Sequence, residues 1–364
     1  MERVASTALD GESLVTPELI EVDPLRWGRR DADRAGQDPE AATGMLALTL
    51  DLAAQGLENG RPASDVIARL AETTHQLRRQ CAPEHWERLM ARARSHRVMD
   101  ALLQDPFTRW SFEKPRGYSG DAHLLDFIYG HEAVAAEIAD ATPLGRAVHA
   151  HTTNASSSVA VRERRDILAG LVDEGAERTG DVEVLAVAAG HLREASLSRA
   201  HAEGRVGRWV ALDQDPLSVG TMLRDHAGSA IESIDGSVRG LLRRAYKLGS
   251  FDVVYAAGLY DYLPAPVAVR LTQRCMELVR PGGTFLFANF SDETRVDGYM
   301  EAFMNWALLL RGEREMWGIV NGAVDRNTVD AKVWFGANRD IVYATLRKHD
   351  DATHEGTLPK QHTR

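Results

Sequence analysis

The sequence predicts an α/β fold: a mostly parallel sheet wound with helices, ending in an antiparallel hairpin and preceded by a mostly helical N-terminal region. Three observations carry this reading. From residue 182 onward, short apolar runs alternate with helix-like segments, whereas residues 40–178 show helical spacing only. The run Val184-Leu185-Ala186-Val187 is apolar throughout, as suits a strand buried on both faces, and it ends in the small-residue turn Ala188-Ala189-Gly190. Near the end, two strand-like runs at 330–335 and 341–347 flank Gly336-Ala337-Asn338, a hairpin signal.

Residues 1–39, rich in Asp, Glu, Arg and Gly, read as a loosely ordered segment. Residues 40–178 form a helical region. Met45, Leu46, Leu48, Leu50 and Leu52 give the first helix a wide apolar face, and Asn59-Gly60 stops it. Val66, Ile67, Leu70 and Leu77 mark a second helix over 62–80; Trp86, Leu89, Met90, Ala93 and Leu102 mark a third over 83–104. Residues 105–120 break the rhythm with Pro106, Pro115, Gly117 and Gly120. Asp121 caps a helix running through His131 toward Ala139, Thr142-Pro143 starts another, and the polar patch 152–158 interrupts it before it resumes to Arg178.

Residues 179–348 read as a cofactor-binding domain and 349–364 as a disordered tail. After the turn at Gly190 a helix is expected over 193–202, its N-terminus offering unpaired N–H groups. A second buried strand, Trp209-Val210-Ala211-Leu212, ends in Asp213, about 20 residues after the glycine turn, where a nucleotide-binding sheet places a carboxylate on ribose hydroxyls. Asp235-Gly236-Ser237 closes a third strand. A fourth runs from Phe251 into an aromatic, acid-bearing loop, 255–262, and Pro281-Gly282-Gly283 leads into a fifth ending at Phe290.

These landmarks fall in one order, and by them the stretch 184–289 resembles the Rossmann-like class I S-adenosylmethionine-dependent methyltransferases. More narrowly, Gly190 to Glu194, LDQDP (212–216), GLYDYLP (258–264), ANF (288–290) and PRGYSGD (115–121) are similar to one bacterial, signal-making subgroup, the extracellular-factor 3-hydroxypalmitic acid methyl ester biosynthesis proteins. The likeness spans roughly residues 110–345. The chain departs from the family at Ala186, where many members carry an acid, and at His191 and Leu192, whose bulk crowds the place of the cofactor's methionine half.

The resemblance implies S-adenosyl-L-methionine as cofactor. Its expected contacts are Ala188, Gly190, Glu194, Asp213, Gln214, Asp235, Gly236, Ser237, Ala257 and Gly258, with Asp235 to Ser237 at the adenine edge and Glu194 on an amino group. Tyr260, Asp261 and His151 are the candidate catalytic groups, a base being needed for a hydroxyl or amine acceptor and none for a carboxylate. Tyr118, Asp121, Asn154, Arg162 and Asn289 are the candidate substrate contacts. The PRGYSGD loop reads as a lid, with Tyr118 packing toward Tyr260.

A formal net charge of −10 argues against nucleic acid as a partner. No run of 18 apolar residues spans a membrane. Cys81 and Cys275 lack metal-ligand spacing, so no metal site is expected; as free thiols they fit a reducing cytoplasm. The expected activity is methyl transfer to a small-molecule carboxylate, hydroxyl or amine in bacterial secondary or signal metabolism, including natural-product biosynthesis. The alternatives are a methyltransferase-fold enzyme performing elimination or ring closure, or a non-catalytic partner subunit. A homodimer or another protein would dock on the N-terminal helices.

Overall fold

The computed structural model describes residues 38–350. The loose N-terminal segment and the disordered tail expected from the sequence fall, but for a few residues, outside this range. The helical region holds α1 (Pro39–Glu58), α2 (Ala63–Gln80), α3 (Pro83–Arg94), α4 (Val98–Leu102), α5 (Pro106–Glu113), α6 (Ala122–Tyr129), α7 (Ala135–Asp140), α8 (Pro143–Thr152) and α9 (Ser156–Thr179). Three boundaries differ from expectation: the helix expected over 83–104 ends at Arg94 and restarts at Val98 as α4. Pro106 does not break the chain but opens α5 at its first turn, with Asp105 accepting from the N–H groups of Phe107 and Thr108. The helix capped by Asp121 stops at Tyr129, because Gly130 takes the left-handed conformation that ends helices. On α1, Leu46 and Leu50 are buried, but Met45, Leu48 and Leu52 face outward. The face that packs is completed by Ala42, Ala53 and Ala54, so it is narrower than the leucine pattern suggested.

The sheet follows with β1 (Val182–Val187), α10 (Arg199–Ala202), β2 (Val206–Asp213), α11 (Pro216–Asp225), β3 (Ile231–Asp235), α12 (Val238–Leu242), β4 (Phe251–Ala256), α13 (Ala265–Leu278) and β5 (Val279–Phe290). Then come α14 (Asp297–Phe303), α15 (Glu313–Ala323), β6 (Val329–Phe335) and β7 (Ile341–Lys348). The strand order is β3-β2-β1-β4-β5-β7-β6. The first five strands are parallel; β7 returns antiparallel between β5 and β6, which makes the expected hairpin.

Strand alternation sorts side chains into two cores. Leu185, Val187, Val254 and Phe287 face α12, α13 and α15. Val184, Ala186, Tyr255 and Ala288 face the other way, in a cluster continuous with Leu46, Leu70, Phe127 and Leu168. The helical region therefore shares its core with one face of the sheet. A buried ionic knot fixes it to the insertion after β5: Arg78 donates to Glu301 at 2.7 Å and to Asp297 at 2.9 Å, His75 pairs with Asp297, and Trp86 donates to Glu301.

Candidate functional site

The order of strands reverses between β1 and β4, which leaves a crevice beyond their C-terminal ends. A pocket opens there, about 1070 Å³ with its mouth included. Its floor is the turn after β1, the end of β2, Gly236 after β3, and Tyr255, Ala257, Gly258, Leu259 and Tyr262 on and after β4. Its roof comes from the helical region: Tyr118 to Gly120, the α6 residues Ala122, Leu125 and Tyr129, and the α9 residues Arg164 and Leu168.

Asp213 ties the floor together. Its carboxylate accepts from the N–H of Gly190 at 2.7 Å and from that of Asp215 at 2.9 Å, while its carbonyl accepts from the N–H of Gly236. Burial nevertheless pushes its pKa up to about 6. The turn it holds is strained, since Ala188 and Leu192 as well as Gly190 have positive φ. The expected helix over 193–202 is instead a 3-10 turn, Arg193–Leu197, followed by the single turn α10. No long helix points its N-terminus at the pocket here.

A second polar cluster lines the same pocket. Tyr255 donates to Glu194 at 2.6 Å, and burial raises the pKa of both groups. Beside them Arg164 is only 5% exposed, and its Nη1 has no hydrogen-bond partner. Its Nη2 lies 3.8 Å from where a side chain on Gly258 would begin, so the guanidinium reaches the pocket wall. A buried donor without an acceptor is costly and uncommon.

The 114–121 loop closes the roof. Tyr118 donates to Asp215 at 2.9 Å, and Arg116 donates to the same oxygen at 2.6 Å. Arg116 holds the Asp215 pKa down despite burial. Tyr118 thus docks on the end of β2 and does not meet Tyr260 as expected. Gly120, at φ +74°, is packed so closely that a side chain there would meet the Tyr262 hydroxyl at 2.2 Å.

The other sequence candidates divide. Ala188, Gly190, Glu194, Asp213, Gln214, Gly236, Ala257, Gly258 and Tyr118 line the pocket. Asp235 does not, and Ser237 caps α12 by accepting from Gly240. Tyr260 points to the opposite core, where its ring stacks on Phe287 at 4.3 Å and its hydroxyl meets Thr272 at 2.8 Å. Strand alternation sends Tyr255 to the pocket side, and the turn after β4 puts Tyr260 in the opposite core. Asp121 is a helix cap that also accepts from Trp110. Asn154 is exposed. Arg162 is spent on the carbonyls of Ile128 and Thr153, and Asn289 on those of Phe290 and Leu309. His151 lines a separate cavity. Asp261, 2% exposed, accepts from the Phe290 N–H at 2.6 Å, and burial pushes its pKa up to about 6 against the opposing pull of Arg164.

His191 and Leu192, expected to crowd the pocket, both line it, and the Nδ1 of His191 is held by Asp126 at 2.8 Å. Sequence reasoning missed Arg164, and a signal was present. Ala160, Val161, Leu168, Leu171 and Val172 form the buried stripe of α9, and Arg164 stands in that stripe.

The raised pKa of Asp261 makes a testable statement. A carboxyl at about 6 in the fold and near 4 when unfolded binds more protons folded, so its contribution to stability is present at low pH and lost as pH rises through 4 to 6. Asp261→Asn keeps an acceptor for Phe290 and does not titrate. Its stability relative to wild type, from urea denaturation, should rise by about 1 kcal/mol or more between about pH 5 and about pH 8. A pH-independent difference would show that Asp261 is not held at the raised value.

No family model and no curated protein matches this chain. Solved structures share its architecture. A possible exported protein from Bordetella parapertussis aligns with a TM-score of 0.52 over 88% of this chain and 100% of its own, at 16% identity. The fold is Rossmann-like, in the class I methyltransferase arrangement. Looser likenesses, with TM-scores of 0.39 and 0.41, are found to the N-methyltransferase NodS from Bradyrhizobium japonicum WM9 in complex with S-adenosyl-L-homocysteine and to the plantazolicin methyltransferase BamL in complex with a triazolic desmethylPZN analog and S-adenosyl-L-homocysteine. The first is 17% identical over 61% of this chain and 99% of its own, the second 8% identical over 69% and 100%. At these identities the likeness is one of fold.

Proposed function

We propose that this protein is an S-adenosylmethionine-dependent methyltransferase acting on a small molecule. The observation that carries the proposal is the donor set of one pocket. A buried carboxylate on the glycine turn, Asp213, suits a ribose diol. Elsewhere on its lining, the Arg164 guanidinium, whose Nη1 has no hydrogen-bond partner, and the buried carboxylate of Glu194 suit an α-amino acid. Glu194 brings a carboxylate near the place where Ala186 brings none. The bound cofactor would supply a methyl group already activated on a sulfonium. The chain's own task is to hold the reactants and keep water out, which the 114–121 loop does from above.

For a hydroxyl or amine acceptor a proton acceptor is needed; Asp261, the carboxylate beside the pocket residue Tyr262 in sequence, would have to be reached from behind the lining, since it is buried on the Phe290 N–H. Tyr260, Arg162 and Asn289 are left with packing and positioning roles. The elimination or ring-closure alternative keeps its motive in the altered turn, since His191 and Leu192 both line the pocket and Ala186 carries no acid. We place the protein in the cytoplasm on its two buried free thiols. Among the described residues no helix is long and apolar enough to cross a membrane, and no cluster suits a metal ion. Exposed Met45, Leu48 and Leu52 make α1 the surface we assign to a second copy or a partner protein.

Calorimetry with S-adenosylmethionine and S-adenosylhomocysteine tests the reading, and saturable binding of both is expected. A folded protein that binds neither would end it. Tyr118 offers a second check. Tyr118→Phe removes one hydrogen bond to a carboxylate and should weaken cofactor binding by about 1 kcal/mol. Tyr118→Ala, which opens the roof, should weaken it further while changing the melting temperature little. A large loss of stability with unchanged affinity would make Tyr118 purely structural.

A further inference from the structure

The guanidiniums around the cofactor pocket are outnumbered by carboxylates. Arg193 lines the pocket and donates to two of them, Asp126 at 2.8 and 2.9 Å and Asp225 at 2.7 Å. His191, on the same lining, shares Asp126 with it at 2.8 Å. Arg116 of the roof donates to Asp215 at 2.6 Å and lies 3.7 Å from Asp121. Arg164 faces Glu194 and Asp261, whose carboxylates both feel its charge. Arg165, over the ring of Tyr129, pairs with Asp166 at 3.1 Å. Asp213 lines the pocket on backbone N–H groups, and the charge of Asp215 works against its own. Among the described residues, then, Arg116, Arg164 and Arg193 each face two carboxylates, and Asp213 adds one more.

This surplus of negative charge sits where water screens it poorly, since Asp121, Glu194, Asp213 and Asp261 are all buried. Burial opposes their ionisation, pushing Asp213 and Asp261 up to about 6 and raising Asp121 and Glu194. At neutral pH Asp213 and Asp261 are nevertheless mostly ionised. A cation entering the pocket relieves their mutual repulsion, whereas a neutral ligand of the same shape does not. The two forms of the cofactor differ in this one respect. S-adenosylmethionine carries a sulfonium, whereas the sulfur of S-adenosylhomocysteine keeps the electron pair of the broken bond to the methyl group and is neutral.

We propose that the pocket reads the charge on sulfur: its surplus of carboxylates holds S-adenosylmethionine more tightly than S-adenosylhomocysteine, so that the spent cofactor is the weaker ligand and does not block the next turnover. The proposal rests on the methyl-transfer reading and adds to it a resistance to inhibition by the product. The preference does not require contact, since Asp121 and Asp261 lie outside the pocket lining. It fades on acidification, because Asp213 and Asp261 take up protons below about 6 while a sulfonium keeps its charge at every pH. Protonation of His191 would act in the same direction.

Calorimetry on the full chain tests this with S-adenosylmethionine, S-adenosylhomocysteine and sinefungin, which carries an ammonium in place of the sulfonium. At about pH 7 both cations should bind about tenfold more tightly than S-adenosylhomocysteine, and at about pH 5 the gap should narrow to about threefold. The ligands share their nucleoside and amino-acid ends, so the narrowing reports the protein's carboxylates. Asp261→Asn and Asp121→Asn each remove one charge from behind the lining. Each should weaken S-adenosylmethionine about threefold and leave S-adenosylhomocysteine unchanged. Asparagine keeps an acceptor for Phe290 and caps a helix as aspartate does, and having two variants guards against one that fails to fold. Equal affinity for the two forms of the cofactor at about pH 7, a ratio that is the same at about pH 5, or equal losses of both in the folded variants would overturn the proposal. A wild type that binds neither form would instead overturn the methyl-transfer reading, and the charge preference with it.

Discussion

Arg164→Gln is expected to weaken S-adenosylhomocysteine binding by roughly 2–3 kcal/mol while leaving methylthioadenosine binding nearly unchanged. The two ligands share the nucleoside and differ in the amino-acid end, so the comparison isolates that end. The argument starts from burial. Arg164 is 5% exposed, its Nη1 has no partner, and it stands where the pocket meets Glu194 and Gly258. The buried carboxylates Glu194 and Asp261 offset its charge in part, and the unpaired Nη1 leaves a donor that a ligand can satisfy. A ligand carboxylate would do so, with the Glu194 oxygen not taken by Tyr255 facing the neighbouring ammonium. Calorimetry on wild type and variant with each ligand reads the difference. Equal losses for both ligands would mean that Arg164 shapes the fold and does not touch the amino-acid end. Loss of the variant's native melting transition would point the same way, and Arg164→Lys, which keeps the charge, then separates charge from shape.

Asp213→Asn is the second large effect, expected at roughly 1.5–3 kcal/mol on the affinity for both ligands. Each carboxylate oxygen of Asp213 accepts a backbone N–H, from Gly190 and from Asp215. Asparagine has only one acceptor oxygen, so its amide nitrogen would face a second N–H donor. The β1 turn would shift, and the diol of the ribose would lose its acceptor. Methylthioadenosine keeps the ribose and should therefore suffer here, where it is spared by Arg164→Gln. That crossed pattern assigns the two ends of the pocket. Unchanged affinity for methylthioadenosine in a folded Asp213→Asn protein would show that the nucleoside is not read by the end of β2.

Both residues bear on what could be read from the chain alone. Asp213 was legible, because a buried strand and its terminal acid are neighbours in sequence and the spacing to Gly190 follows from one turn and one short connection. Arg164 was not, although it stands in the buried stripe of α9. Its neighbours in space, Glu194, Tyr255 and Gly258, are 30 to 94 residues away in sequence. Tyr260 was misplaced for a related reason. The aromatic loop after β4 was visible as a unit, but which of its side chains faces the pocket depends on how the chain turns after the strand ends. Arg162 and Asn289 were plausible by residue type, and their donors are consumed by carbonyls that only packing brings near.

The sequence by itself determined the periodic features. Continuous apolar runs set the buried parallel strands, 3.6-residue spacing set the long helices, and Gly and Asn set the hairpin, because each of these signals is local and repeats along the chain. The tertiary structure alone decided the roof of the pocket, the docking of Tyr118 on Asp215, the burial of Arg164 against the pocket, and the Trp306–Tyr262 hydrogen bond. Those contacts join segments whose separation in sequence carries no period, and their geometry is fixed only when the helical region and one face of the sheet close around a common core.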